Sequence, residues 1–218
     1  GVMWKPFDFD STKCYPIISY VYPGPQFEFV PTQFSLIHDR NTRLAQLGFI
    51  VISVGHRGGT PMRGKAYHTY SSGRLRDYPL ADDKYAIEQL AQRYSFINGK
   101  KVGIYGHSGG GFMATAAICT YPDFYSAAVS AAGNHDNTIY NKWFVEVHNG
   151  VTEIPDTISG KSSWEVNVGT NMQLAKNYKG GLLLVTGDID NNVNPAHTFR
   201  MANALIKEGK NFDMMVLP

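Results

Sequence analysis

The segment that most constrains this chain is KVGIYGHSGGGFMATAA, residues 101–117, where an apolar run leads through a glycine cluster into alanine-rich helix formers. The pattern predicts a strand, a sharp turn and a helix, with Ser108 at the turn. Gly106 and Gly110 flank the serine in GxSxG spacing, which so tight a turn needs because larger side chains would clash with the backbone. We therefore predict an exposed nucleophile, Ser108, with the Gly109 N–H available to an oxyanion.

Two other interpretations of a glycine-rich turn compete with this one. The turn can be a purely structural one in which strand and helix pack closely. It can also be a phosphate-binding loop, but the GK[ST] ending is absent and the GxGxxG spacing is not met. The serine between a strand and a helix favours the nucleophile.

The rest of the chain alternates short apolar segments with longer amphipathic ones, which is typical of a parallel sheet with crossover helices. The predicted strands are 15–22, 49–55, 101–106, 126–132, 181–187 and 212–217. The predicted helices are 31–48, 78–95, 111–122 and 194–210. Residues 134–178 lack a clear period and are predicted to lie over the sheet as an insertion. We expect a single α/β domain over 1–218, an α/β-hydrolase fold with a mostly parallel central sheet and helices on both faces.

Composition argues against several other classes. The formal net charge is +2 over 218 residues with no dense block of like charges, so we expect no nucleic-acid partner. The longest apolar runs, such as 49–54, are far shorter than the roughly 18 residues of a membrane helix, so no membrane segment is expected in this chain. Cys14 and Cys119 have no metal-ligand spacing, and neither a metal nor a cofactor is expected. The compartment stays open.

A serine nucleophile needs a base and an acid that orients the base. In this fold class the acid and then the histidine follow the serine, each in a loop after a strand. Asp188 and Asp190 come directly after the predicted strand 181–187, where a carboxylate would reach the same sheet edge as Ser108. The alternative is that both are ordinary turn residues, since Asp and Asn are common in turns.

No histidine of the chain fits the role of the base. Only His197 follows the candidate acids, and its place in the first turn of a predicted helix indicates a capping or surface residue. His107 is expected to pack beneath the turn that carries Ser108. His56, in GHRGG, resembles an esterase oxyanion loop but follows the second predicted strand instead of the first. We therefore expect the triad histidine beyond residue 218, in a domain truncated at both ends.

Four ordered motifs together resemble a known family. They are VYPGPQ (21–26), GHRGG (55–59), GHSGGG (106–111) and GDIDNNVNPAHTFRMANALIKEGKNFDMMVLP (187–218). They are similar to the catalytic domain of the prolyl oligopeptidase family, closest to its dipeptidyl peptidase IV branch. The resemblance covers nearly the whole chain and is far more specific than GxSxG alone.

The resemblance implies a role for individual residues. Ser108 matches the nucleophile and Asp190 the triad acid, which makes Asp188 a bystander. Tyr22 matches a hydroxyl donor to the oxyanion beside the Gly109 N–H, although without the resemblance a tyrosine there would be assigned to the core. Asn192 matches the amide that binds the substrate carbonyl, and Val193 a wall of the proline pocket.

The chain also departs from the family pattern. Gly109 stands where the dipeptidyl peptidase IV branch typically has tyrosine, and Asn134 and His135 stand where the family has an arginine and an aromatic pocket wall. The aromatic rings that normally line a proline pocket can come from the insertion instead; the candidates are Tyr140, Trp143 and Phe144. The family's N-terminal β-propeller, with acidic residues that bind the substrate's amino terminus, has no counterpart in these residues.

The expected activity is that of a serine peptidase of the dipeptidyl or prolyl type that hydrolyses short peptides through an acyl-enzyme on Ser108. The expected partner is a peptide substrate, with a possible homodimer in the full-length protein. Without the triad histidine, residues 1–218 are expected to be nearly inactive. Two alternatives stay open: an esterase or acyl hydrolase of the same fold, and a non-catalytic hydrolase-like domain used for binding.

Overall fold

A seven-stranded sheet forms the centre of the computed structural model, which describes residues 1–25, 28–30, 33, 35 and 39–218. The strands in chain order are β1 (Val2–Trp4), β2 (Tyr15–Tyr20), β3 (Ile50–Ser53), β4 (Ile97–His107), β5 (Tyr125–Ala131), β6 (Val151–Pro155), β7 (Ser162–Val166), β8 (Gly181–Gly187) and β9 (Asp213–Leu217). The central sheet has the order β1-β3-β2-β4-β5-β8-β9, while β6 and β7 form a separate hairpin. All neighbours in the central sheet are parallel except β1 and β3.

The helices connect the parallel strands. They are α1 (Asp39–Gln46), α2 (Lys65–His68), α3 (Leu80–Arg93), α4 (Gly109–Thr120), α5 (Lys142–Phe144) and α6 (Ala196–Lys207). The six predicted strands and the last three predicted helices are all present, with ends shifted by a few residues, which confirms an α/β fold with a mostly parallel sheet. The first predicted helix, 31–48, lies partly outside the described residues, and α1 covers its second half. Among the residues described, no helix is long and apolar enough to span a bilayer.

Helix α4 lies in the densest part of the core. Ten of its twelve residues are buried, because its sequence is apolar on all sides and it packs against both β4 and β5. Met113 and Ile118 are fully buried in one cluster with Ile104 of β4 and Leu184 of β8. The helix that starts beside Ser108 is therefore fixed by the two strands on which the site depends.

The predicted insertion, 134–178, contains short elements without a common period. It includes a 3₁₀ turn at Asn137–Ile139, α5, a π-helical turn at Val145–Asn149, the β6–β7 hairpin and a 3₁₀ segment at Asn171–Asn177. The hairpin is largely exposed, whereas Val168 and Phe144 pack on Phe112 of α4. The insertion is thereby anchored to the first turn of the nucleophile's helix.

Candidate active site

The turn at Ser108 has the sharp geometry that the sequence predicts. Ser108 has φ 56° and ψ −121°, a region that residues other than glycine seldom adopt. Its N–H donates to the carbonyl of Ala131 at 2.8 Å, and its own carbonyl accepts from Phe112 N–H at 3.0 Å. A conformation that costs about 1–3 kcal/mol is held by neighbours on both sides, as is common where strain serves a site.

Glycines make this turn possible because backbone surrounds it. A Cβ atom added to Gly110 would lie 2.1 Å from the carbonyl oxygen of Val21, and one added to Gly106 would lie 2.5 Å from that oxygen and from Gly110 C. These separations are far below any normal contact, so both positions require glycine. The predicted reason for the GxSxG spacing is confirmed.

The two remaining glycines of the cluster differ in the room around them. A Cβ on Gly111 would lie 2.5 Å from the Ala131 carbonyl oxygen, so this glycine permits close packing of α4 on β5. Among the described residues, a Cβ on Gly109 would meet only Pro23 O, at 3.2 Å. The position after Ser108 therefore accepts a side chain after a small shift of that loop.

Tyr22 follows β2, the strand beside β4, so it leaves the sheet next to Ser108. The N–H of Val21 donates to Tyr105 O at 3.0 Å, which continues the β2–β4 pairing up to Tyr22. The Tyr22 ring is half-buried, 5.3 Å from the ring of Phe29. The two predicted oxyanion donors thus lie on adjacent loops at one edge of the sheet.

Asp190 follows β8, which is separated from β4 by β5 alone. At about 4.8 Å between neighbouring strands, the two strand ends lie on the order of 10 Å apart. Oδ1 of Asp190 accepts from the N–H groups of Asn192 at 3.0 Å and Val193 at 2.9 Å. Within the described residues no donor reaches Oδ2, which leaves that oxygen for a further partner. Asp188 is exposed, and its N–H donates to Leu217 O of β9 at 2.8 Å.

Residues 188–193 are here called the acid loop, and one of the three aromatic candidates in the insertion, Tyr140, contacts it directly. The Tyr140 hydroxyl donates to Asn192 Oδ1 at 3.4 Å, and the Tyr140 ring packs edge-on against Phe144 at 5.4 Å. Burial, with the Tyr22 hydroxyl nearby, raises the pKa of Tyr140. Val193 is buried, whereas Trp143 is 63% exposed. The structure therefore joins Tyr140 to Asn192, packs Phe144 against Tyr140 and leaves Trp143 at the surface.

The histidines lie elsewhere than the sequence indicates. His107 is exposed rather than packed beneath the turn, because side chains of a strand alternate and the buried side here is that of Gly106. His197 is buried rather than on the surface, and its Nδ1 accepts from the Asp136 N–H at 3.2 Å. Burial lowers the pKa of His197. His56 is also buried, and its Nε2 lies 3.6 Å from Oδ1 of Asp83.

No histidine in the described part of the chain hydrogen-bonds to Ser108. The described residues also contain no cluster of three His, Cys, Asp or Glu side chains that would hold a metal. The site thus combines a strained serine, a carboxylate with one oxygen uncommitted, and a tyrosine on the neighbouring loop. This set of groups suits acyl transfer once a base is added.

Sequence reasoning missed the contacts of Asn134 and His135, which it noted only as departures from the family. Asn134 Nδ2 donates to Asn137 Oδ1 at 2.9 Å, and both residues are buried. His135 is fully buried with polar groups at both ring nitrogens. The only available signal was that polar residues stand together in a segment that follows a buried strand.

Comparisons with known proteins agree with the family resemblance of the sequence. A model described as the prolyl oligopeptidase family matches residues 36–218. Human dipeptidyl peptidase 8 is 28% identical over 219 residues, which is 100% of this chain and 24% of that protein. The venom dipeptidyl peptidase 4 of Apis mellifera is 28% identical over 214 residues, 94% of this chain and 26% of that protein. The chain spans about a quarter of the length of the curated relatives it matches.

Solved structures share the fold of this chain. The dipeptidyl peptidase 4 of Porphyromonas gingivalis superposes with a TM-score of 0.84 at 25% identity, covering 99% of this chain and 29% of that one. A putative dipeptidyl aminopeptidase IV from Bacteroides ovatus gives a TM-score of 0.81 at 25% identity, with the same coverage of both chains.

Proposed function

Because the chain belongs to the prolyl oligopeptidase family, in the branch of dipeptidyl peptidases 4 and 8, we propose that it carries the nucleophile and acid of a serine peptidase that hydrolyses short peptides. The observation that carries the proposal is Ser108 in a strained turn at the start of α4. Tyr22 and Asp190 follow strands on either side of it at the same sheet edge.

The mechanism is acyl transfer. Ser108 Oγ attacks the scissile carbonyl while a histidine accepts its proton, and the Gly109 N–H and the Tyr22 hydroxyl stabilise the oxyanion. The histidine then protonates the leaving amine, which departs and leaves an acyl-enzyme on Ser108. The same histidine then takes a proton from a water molecule, which attacks the ester carbonyl. The histidine gives that proton to Ser108 Oγ as the ester bond breaks, and the acid product is released. Asp190 holds the histidine in the correct tautomer throughout.

We place the base beyond residue 218. Strand β9 pairs with β8, and Leu217 O accepts from the N–H of Asp188. Residues after β9 therefore leave the sheet beside the acid loop, where Asp190 Oδ2 has no donor among the described residues. We therefore assign the missing donor to Asp190 Oδ2 to a histidine in those residues.

We place the pocket for the residue before the cut at the rings of Tyr140 and Phe144, beside Asn192 and the buried Val193. Two rings and a buried valine favour a compact apolar side chain, of which proline is one. Since Asn192 Oδ1 accepts from Tyr140, the Asn192 amide group keeps its N–H bonds for a substrate carbonyl. The homodimer stays a prediction for the longer protein, to be checked by sedimentation.

The test is covalent labelling of the full-length protein by a fluorophosphonate, followed by turnover of dipeptidyl amides and small esters. Labelling should be lost in Ser108→Ala, and residues 1–218 alone should turn over a dipeptidyl-proline amide on the order of 10⁶-fold more slowly than the full-length protein. Labelling that survives in Ser108→Ala contradicts the nucleophile. Faster turnover of esters favours the esterase, and absence of labelling favours a binding domain.

A further inference from the structure

Residues Asn134–Tyr140, here the bridge segment, cross the sheet edge between the turn at Ser108 and the acid loop. The segment begins after a kink in which Ala132 has φ 45°, unusual for a residue with a side chain. The N–H of Ala132 donates to Val185 O of β8 at 2.8 Å, so the kink is fixed to the strand that leads to Asp190. The path of this segment is therefore determined from its first residues.

Two buried side chains bind the first turn of α4 from outside. Ser130 Oγ donates to Gly111 O at 2.8 Å, and Asn171 Nδ2 donates to Phe112 O at 2.9 Å. These carbonyls belong to the third and fourth residues after Ser108. The position of the nucleophile's helix is thus set by hydrogen bonds as well as by packing.

His135 joins these two side chains. Its Nδ1 lies 3.0 Å from Asn171 Nδ2, and its Nε2 lies 3.5 Å from Ser130 Oγ. Asn171 Nδ2 is a donor, so His135 Nδ1 accepts. The Ser130 hydroxyl already donates to Gly111 O, so it can only accept from His135, and Nε2 carries the proton. Burial lowers the pKa of His135 to about 3, so the ring stays neutral with this tautomer at any pH where a peptidase works.

The other end of the bridge segment is bound to the acid loop and α6. The N–H of Asp136 donates to His197 Nδ1 at 3.2 Å, and Asp136 Oδ2 accepts from Arg200 at 2.6 Å. Tyr140 donates to Asn192 in the acid loop. One short segment is consequently fixed both to the nucleophile's helix and to the wall of the substrate pocket.

We propose that His135 is a positioning residue that fixes the first turn of α4, through Asn171 and Ser130, in register with the pocket wall at Tyr140. The Asn171 amide shows why an acceptor is needed. Among the described residues Asn171 Oδ1 has no partner, so the amide is oriented only by its two Nδ2 contacts. Without the ring nitrogen the amide is oriented by its bond to Phe112 O alone, which weakens its hold on the first turn of α4.

The experiment compares His135→Leu, which fills the space without an acceptor, with His135→Asn, whose Oδ1 replaces Nδ1. The control is Tyr125→Phe, which removes a buried hydrogen bond to Asp83 Oδ2 (2.9 Å) away from the site. In the full-length protein, His135→Leu should lower kcat and the fluorophosphonate labelling rate about tenfold, with KM within about threefold. His135→Asn should restore most of the loss, and Tyr125→Phe should lower Tm without this effect.

Hydrogen exchange of residues 106–113 gives a readout that does not need activity. Exchange of these amides should be faster in His135→Leu than in Tyr125→Phe when each variant is measured at the same number of degrees below its own Tm. Unchanged exchange, or equal effects of both variants, overturns the positioning role. The activity readout rests on the proposed function. If that function is wrong, the full-length wild-type protein itself will not be labelled by the fluorophosphonate, which is a separate result.

Discussion

The turn at Ser108 and the loop at Asp190 lie at the same sheet edge but are held in different ways. The turn is fixed by backbone from distant parts of the chain, since Gly110 packs on Val21 and Ser108 donates to Ala131. The acid loop is held mainly by hydrogen bonds from its own N–H groups to Asp190, with one bond each to Leu217 and Tyr140, and its Ile189 is 85% exposed. Changes in the turn should therefore affect stability, and changes in the loop should affect catalysis alone.

The largest effect is expected from Asp190→Asn. The amide oxygen can still accept from the N–H groups of Asn192 and Val193, so the loop should keep its shape. Without the charge the histidine is wrongly oriented, and kcat of the full-length protein should fall about 10⁴-fold. Thermal unfolding should show an unchanged Tm. Asp188→Asn is the matched control and should be neutral; a loss of activity there would exchange the roles of the two carboxylates.

The next effect is expected from Gly110→Ala, which should lower the free energy of unfolding by about 3 kcal/mol. The new Cβ would lie 2.1 Å from Val21 O, a backbone atom held in the sheet that cannot move away. Gly109→Ala should cost far less, because within the described part of the chain its Cβ would meet Pro23 O alone, at 3.2 Å. Urea unfolding of residues 1–218 measures both, and equal costs would show that distant backbone does not fix the turn.

The smallest effect is expected from Arg200→Met. Arg200 of α6 donates to Asp136 in the bridge segment, which connects the turn at Ser108 to the acid loop. Burial alone would raise the pKa of Asp136, but hydrogen bonds from Thr138 and Arg200 outweigh it and lower the pKa. The folded state therefore keeps this carboxylate charged at a pH where the unfolded chain, with a pKa of about 3.9, is protonated.

Arg200 is half-exposed, so the variant should lose only about 1 kcal/mol at pH 7. The loss should fade as the pH falls below about 4, through the lowered pKa of Asp136. Urea unfolding at pH 7, 5 and 3 checks this, and a penalty that is constant with pH would assign the effect to packing of the Arg200 stem.

The sequence was enough to predict the parallel strands and the turn at Ser108, because apolar runs and paired glycines report local constraints. It did not indicate β1, whose three residues are too short for a period, or the exposed β6–β7 hairpin. It also placed His107 and His197 wrongly. Burial of a polar side chain depends on partners far along the chain, such as Asp136 for His197, and spacing along the sequence carries no information about them.

The turn at Ser108 also has a consequence for the time course of folding. Its shape depends on contacts with Val21 and Ala131, so β2 and β5 must both be in place beside β4. Strand β2 lies about eighty positions before β4 in the chain. Such long-range contacts form slowly. A nascent or partly folded chain therefore has the serine without its reactive geometry, and the rate at which Ser108 becomes reactive would report completion of the sheet.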